Sequence, residues 1–389
     1  MSTFIYVIVY LCFIALGLPD SVFGAAWPSM YPQFGVPVSW AGAVSMTIAA
    51  GTVVSSLMSD RLLKKFGIGT IAYFSVGLTC LAVFGFSFVK SYPLLFLFAI
   101  PYGLGAGSID AAVNNFAALY FPSKHMSWLH CMWGIGTIFG PYMIGFGLNR
   151  GLGWQFGYRA VGSILLVFTV CLIFASGRWT RADVKKNLGA DQKKKKSPLK
   201  STLKIKGAIE ILIAFFCYSA VEQTTMLWAS SYMKIHNSMS EAMAASFASM
   251  FFIGITAGRA VNGFLAIKFS DTFLIRLGEG IIASGIIIMM LPFENNYLTL
   301  IGLIIIGLGC APVYPCIIHS TPEHFGEENV GALVGVQMAF AYTGTTTMPP
   351  LFGLISNRTS VSSLPYFLLF FLVLLTVMHE IVVRKTKKT

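Results

Sequence analysis

A run of about 20 apolar residues lets a helix cross the hydrocarbon of a bilayer with its backbone polar groups satisfied internally. This chain has twelve such runs, at 4–32, 38–60, 67–89, 91–120, 125–149, 157–178, 207–235, 240–266, 271–291, 296–320, 327–354 and 361–383. Composition agrees, since 56% of the 389 residues are hydrophobic and only 11% are charged. A soluble domain would lack the polar exterior to hide that much apolar surface. The expected fold is an all-α membrane protein with twelve transmembrane helices. The first run has no basic stretch ahead of it and continues to full span length, so it reads as a span and not as a cleaved leader.

A basic segment divides the spans six and six. Between 179 and 206 the chain carries Lys185-Lys186 and an unbroken run from Lys193 to Lys196. The regions are then a six-helix bundle at 1–178, a linker at 179–206 and a second six-helix bundle at 207–389. Lysine and arginine concentrate on the cytoplasmic side of membrane proteins. With the N-terminus inside, 22 of the 27 basic residues are cytoplasmic and 5 are outside, so both termini are expected to be cytoplasmic. The net charge of +12 is therefore a topology signal, with the linker resting on anionic headgroups, and no nucleic-acid partner is expected. Seven cysteines lie in apolar runs without CxxC or metal-ligand spacing and read as small packing residues. The halves also echo one another: Gly103-Leu104-Gly105 recurs as Gly307-Leu308-Gly309, Lys64 as Lys268, and Asp20 has Glu222 as its near-counterpart. Such repetition marks transporter folds whose substrate site lies at mid-bilayer between the repeats.

Ionisable groups inside a span cost about 2.5–3.5 kcal/mol each on insertion scales, so their presence points to function. Asp110 sits in the glycine-rich GLGAGSIDAAVNNF at 103–116, with Asn114 on the same helical face four residues later. Asp110 is expected to take up and release a coupled proton, and Asn114 can bond either of its states; the alternative is a polar clamp between spans. Asp20 lies near the middle of the first run, with Gly24 and Trp27 at i+4 and i+7. That spacing predicts acid, gap and aromatic on one face, a set suited to a hydroxyl-rich ligand, or else an acid bonded to a neighbouring helix. His130 and Glu222 are further candidates for the substrate cavity; His130 is equally suited to packing. Tyr314 mirrors Asp110 in the second half and Gln337 is an isolated polar residue in the eleventh run; each either lines a cavity or bonds a helix. Arg259 and Glu279 are expected to pair as a structural or gating contact, and His319 and His379 to be interfacial. No GxSxG, HExxH or phosphate-loop motif occurs, so the chain is not expected to be an enzyme, nor to hold a cofactor or metal.

The chain resembles the major facilitator superfamily over nearly its whole length, and within it the fucose-permease-like sugar transporters. The motifs that carry the resemblance are GLGAGSIDAAVNNF at 103–116, SDRLLKKFG at 59–67, GLGCAPVYPCIIHSTPEHFG at 307–326 and MPPLFGLISNR at 348–358. The second is similar to the superfamily's cytoplasmic loop, with Asp60 and Arg61 as gating residues. In the first, Asp110 and Asn114 take the places of the family's protonatable acid, usually Glu, and its Asn. The resemblance implies alternating access in a multi-pass cell-membrane protein, expected to act as a monomer. It implies symport of a small molecule, a sugar or polyol, with a proton, sodium being the alternative ion. Two other readings stay open: a proton-driven antiporter of a drug-like or metabolite substrate, and a non-transporting membrane sensor.

Overall fold

The computed structural model describes residues 3–121, 123–187, 203–292, 296–326 and 329–386. They form fourteen α-helices and no strand. In chain order these are α1 (Thr3–Asp20), α2 (Val22–Phe34), α3 (Ala41–Phe86), α4 (Tyr92–Tyr120), α5 (Ser123–Asn149), α6 (Trp154–Asn187) and α7 (Ala208–Ile235). There follow α8 (Glu241–Phe247), α9 (Ser249–Leu265), α10 (Asp271–Met290), α11 (Asn296–His319), α12 (Thr321–Phe325), α13 (Val330–Arg358) and α14 (Leu364–Thr386). Among the described residues, eleven stretches are long and apolar enough to cross a membrane. The chain is a multi-pass membrane protein.

Four features depart from the periodicity of the sequence. The expected eleventh span forms a helix of 29 residues, α13, but it is not one of the eleven apolar stretches. Gln337 and the threonines at 343 and 345–347 dilute its apolar content. The first span breaks at Ser21 into α1 and α2, as Pro19 and Pro28 foreshadow. The second and third spans run into one helical stretch whose sole non-helical residue is Gly67, at φ 75° and ψ 159°. A left-handed backbone of that kind is open to glycine and strained for other residues, so the expected loop shrinks to one position. Finally, α6 continues through Asn187, well into the segment expected to be a linker; residues 188–202 lie outside the described residues.

Helices before the basic segment pack chiefly on one another, α3 on α4 and α6, and α1 on α5. Those after it do the same, α10 on α11 and α14, α9 on α11, and α7 on α13 and α14. The halves meet where α5 touches α8 and α9, α2 touches α7, and α3 touches α13. Most of this seam lies toward one end of the molecule, the end of the connections at 35–40, 150–153, 236–240 and 359–363. Ser230 Oγ donates to the Ala25 carbonyl across it at 3.2 Å. At Gly24 an added Cβ would stand 2.9 Å from the carbonyl oxygens of both Met226 and Leu227. Only a residue without a side chain allows α2 and α7 to approach so closely.

Candidate functional site

The break between α1 and α2 leaves Asp20 as the last residue of its helix, turned toward α4 and α5. Its Oδ2 accepts from Trp133 Nε1 at 2.8 Å, and its Oδ1 from the Tyr102 hydroxyl at 3.4 Å. Next to it, Ser21 Oγ donates to the Thr137 carbonyl at 2.7 Å and ties the break to α5. The other side of the indole faces the second half. The Arg259 guanidinium of α9 lies over the Trp133 ring, 4.7 Å from the centroid. Arg259 Nη2 is 3.6 Å from Glu222 Oε1 of α7, and the two side chains are only 15% and 10% exposed. A continuous chain thus runs Tyr102, Asp20, Trp133, Arg259, Glu222, and its one crossing between halves is the stacking of guanidinium on indole. Such a contact contributes about 0.5–2 kcal/mol, more as it is desolvated. The ion pair is held apart from water, so each partner depends on the other.

Asp110 lies on α4, about two turns beyond Tyr102. Asn114 Nδ2 donates to its Oδ1 at 2.8 Å and to its carbonyl at 3.0 Å, so the expected pair of residues is in contact. The charge of Asp110 is felt by Asp20 in its own half and by Tyr314 and Tyr342 in the other. Tyr314 packs on Phe215 with centroids 5.0 Å apart, and its hydroxyl meets Met338 Sδ at 3.4 Å. His130 stands edge-on to Phe13 at 5.5 Å and within electrostatic reach of Arg259. Three carboxylates, Asp20, Asp110 and Glu222, therefore share a neighbourhood with one guanidinium already paired. This set accepts hydrogen bonds and attracts cations, and it disfavours an anionic ligand.

Several expected placements are corrected. Trp27 packs away from the polar contacts of Asp20. It is fully buried among Phe23, Tyr31 and Tyr92, and Nε1 donates to the Val38 carbonyl at 2.6 Å. Gln337 is fully buried as well, and its side-chain amide meets the Thr321 hydroxyl at 3.3 Å, joining α13 to α12. Arg259 does not pair with Glu279: it faces α5 and Glu222. Glu279 Oε1 instead lies 3.6 Å from Nδ1 of His379, which is buried. His319 is exposed and meets Asp271 at 2.6 Å. Arg61 is exposed on its helix, and the Asp60 side chain lies outside the described residues. Trp133 and Tyr102 escaped sequence reasoning. The only signal for Trp133 was an aromatic one turn after His130, just ahead of the glycines of α5. Among the described residues no cluster of three His, Cys, Asp or Glu could hold a metal.

Known proteins place these observations in a family. The sequence profile described as Major Facilitator Superfamily matches residues 9–239 and 211–389. "Bypass of stop codon protein 6" of Saccharomyces cerevisiae is 22% identical over 67% of this chain, which spans 56% of that protein. The "Uncharacterized MFS-type transporter YfkL" of Bacillus subtilis is 20% identical over 91% of this chain and 89% of its own length. The "Glucose/mannose transporter GlcP" of the same bacterium is 23% identical over 80% of this chain and 78% of its own length. Two matches that together cover nearly every residue, on an all-helical multi-pass fold with paired halves, lead to one statement: the chain belongs to the Major Facilitator Superfamily.

Proposed function

We propose that this chain is a twelve-span secondary transporter that moves a sugar or related polyol together with a proton by alternating access. Its bundles are residues 1–178 and 207–389, joined by a cytoplasmic linker, with both termini cytoplasmic and the protein in the cell membrane as a monomer. The observation that carries this reading is the polar chain from Asp20 through Trp133 to Arg259 and Glu222. It joins ionisable groups of both halves inside spans, where such groups are costly unless they serve transport. The name of the glucose/mannose relative supports a sugar as substrate. Asp110 carries the coupled proton in this scheme, while Asn114, His130, Glu222 and Tyr314 surround the substrate and Asp20 orders the N-terminal side. Trp27 and Gln337 serve packing. The seam at the outer ends then corresponds to a form closed to the outside.

The excess of carboxylates over guanidinium favours a second reading, in which a cationic metabolite is exported in exchange for protons. Proteoliposomes loaded with D-glucose or D-mannose separate the two. We expect Asp110→Asn to keep sugar counterflow, which needs no gradient, and to lose accumulation driven by an inward pH gradient. Full pH-driven accumulation in that variant would remove Asp110 from coupling. Absence of counterflow for every sugar, with uptake of an organic cation against a pH gradient, would favour the antiporter. A sodium gradient that drives uptake at constant pH would replace the proton.

A further inference from the structure

We propose that Trp133 is a positioning residue that transmits the charge state of Asp20 to Arg259 and thereby sets how firmly the two halves hold together. The inference rests on the proton-coupled reading above and adds to it a second responsive acid and the route by which its state crosses the seam.

The geometry supplies two contacts to opposite parts of one indole. Its N–H donates to Asp20 Oδ2 at 2.8 Å, within the first half, and its ring carries the Arg259 guanidinium of the second half at 4.7 Å. A hydrogen bond to an ionised acceptor is charge-assisted and polarises its donor. Electron density pushed into the indole deepens the negative face on which a cation rests, so ionised Asp20 tightens the hold of Trp133 on Arg259. A proton on Asp20 removes that polarisation. The contact between halves then loosens without any direct bond from Asp20 to the second half.

Other titratable groups face this relay. From α4, Asp110 and Tyr102 act on Asp20; from α5, His130 and Cys131 act on or feel Arg259. From α7, Glu222 and Tyr218, and from α11, Cys310 and Tyr314, lie within reach of Arg259. Glu222 competes for Arg259 from the same half and so cannot report the charge of Asp20 across the seam. Among the described residues, Trp133 alone touches both Asp20 and Arg259.

The test is a distance measurement on the full chain in lipid nanodiscs. Spin labels are placed at Lys64→Cys and Lys268→Cys, exposed positions in opposite halves, with the exposed Cys171 replaced by Ser. Between about pH 8 and about pH 5, the range in which a buried carboxylate gains its proton, the ratio of open to closed distances is expected to change on the order of threefold. Trp133→Phe keeps an aromatic ring but no N–H, and Asp20→Asn keeps the acceptor but no charge; each should flatten that response. Accumulation driven by an inward pH gradient in Asp110→Asn reports separately on the proton-coupled reading. A pH response retained in both Trp133→Phe and Asp20→Asn, whatever Asp110→Asn does, overturns the relay and leaves that reading standing. A response lost in Asp20→Asn but intact in Trp133→Phe overturns the part played by the indole. Flattening in both, with the sum of the two labelled populations preserved, sustains it.

Discussion

Removing one member of the Glu222–Arg259 pair strands the other charge in a setting that offers it little water. We expect Glu222→Gln and Arg259→Gln each to lower stability by about 1–3 kcal/mol, and the double variant to cost less than the sum, because no charge is left alone. Thermal unfolding of the four proteins in one detergent measures the cycle; strict additivity would mean that the pair contributes nothing. Glu222→Gln should also weaken sugar binding while the fold is retained. At this scale the sequence revealed contacts only where partners are close in the chain. Asp110 and Asn114 are four residues apart, so helical spacing alone brought them together. Trp133 and Asp20 are 113 residues apart, and the partner of Arg259 depended on which way α9 turns against α5. Counting charges gave Arg259 an acid to pair with, and it took Glu222 where Glu279 was expected.

Helix ends and helix crossings carry the next set of consequences. At the crossing of α2 and α7, Gly24→Val would press a side chain onto two carbonyl oxygens that already stand 2.9 Å from the Cβ position. We expect this variant to disfavour the closed seam and to raise labelling of a cysteine placed at Ser230 by a membrane-impermeant thiol reagent several-fold. Unaltered labelling would mean that α2 yields without opening. At the other end, His324 of α12 meets the Thr386 hydroxyl of α14 at 2.7 Å. Burial holds its imidazole below the ordinary value of 6.5, with Glu323 and Asp271 opposing. The unfolded chain then binds the proton more readily, so this contribution to stability is complete above pH 6.5 and is lost as pH falls through the depressed value. His324→Gln should flatten the acid-side fall in Tm. Apolar length revealed nearly every span, because hydrocarbon rewards composition over detail. The prolines foreshadowed the break at Ser21, whereas those at Ala248 and Gly67 were less legible, since they answer to packing between helices and to a single backbone angle.

Taken as one molecule, the chain is two groups of helices that meet along one seam, and composition alone foretold the class. The pairing of the groups was legible through weak repetition, whereas the seam between them was not, because it is built from small residues that carry no hydropathy signal. One feature of the assembly bears on how it is made. Helix α13 has the length of a span, about 43 Å at 1.5 Å per residue, without the apolar content of the other eleven. A translocon sorts segments by apolar content as they emerge. α13 therefore has a poor prospect of partitioning into lipid by itself, and it needs the surfaces of α7 and α3 against which it packs. Both helices are made before it, so its integration would follow their assembly and depend on the surfaces they already present. A chain that begins at 240, without α3 and α7, should leave residues 330–358 on the side where they were synthesised, as a glycosylation acceptor placed just after 358 would report. Biosynthesis, on this view, brings a helix with a cluster of threonines at 343 and 345–347 into the membrane only where earlier helices are already in place to receive it.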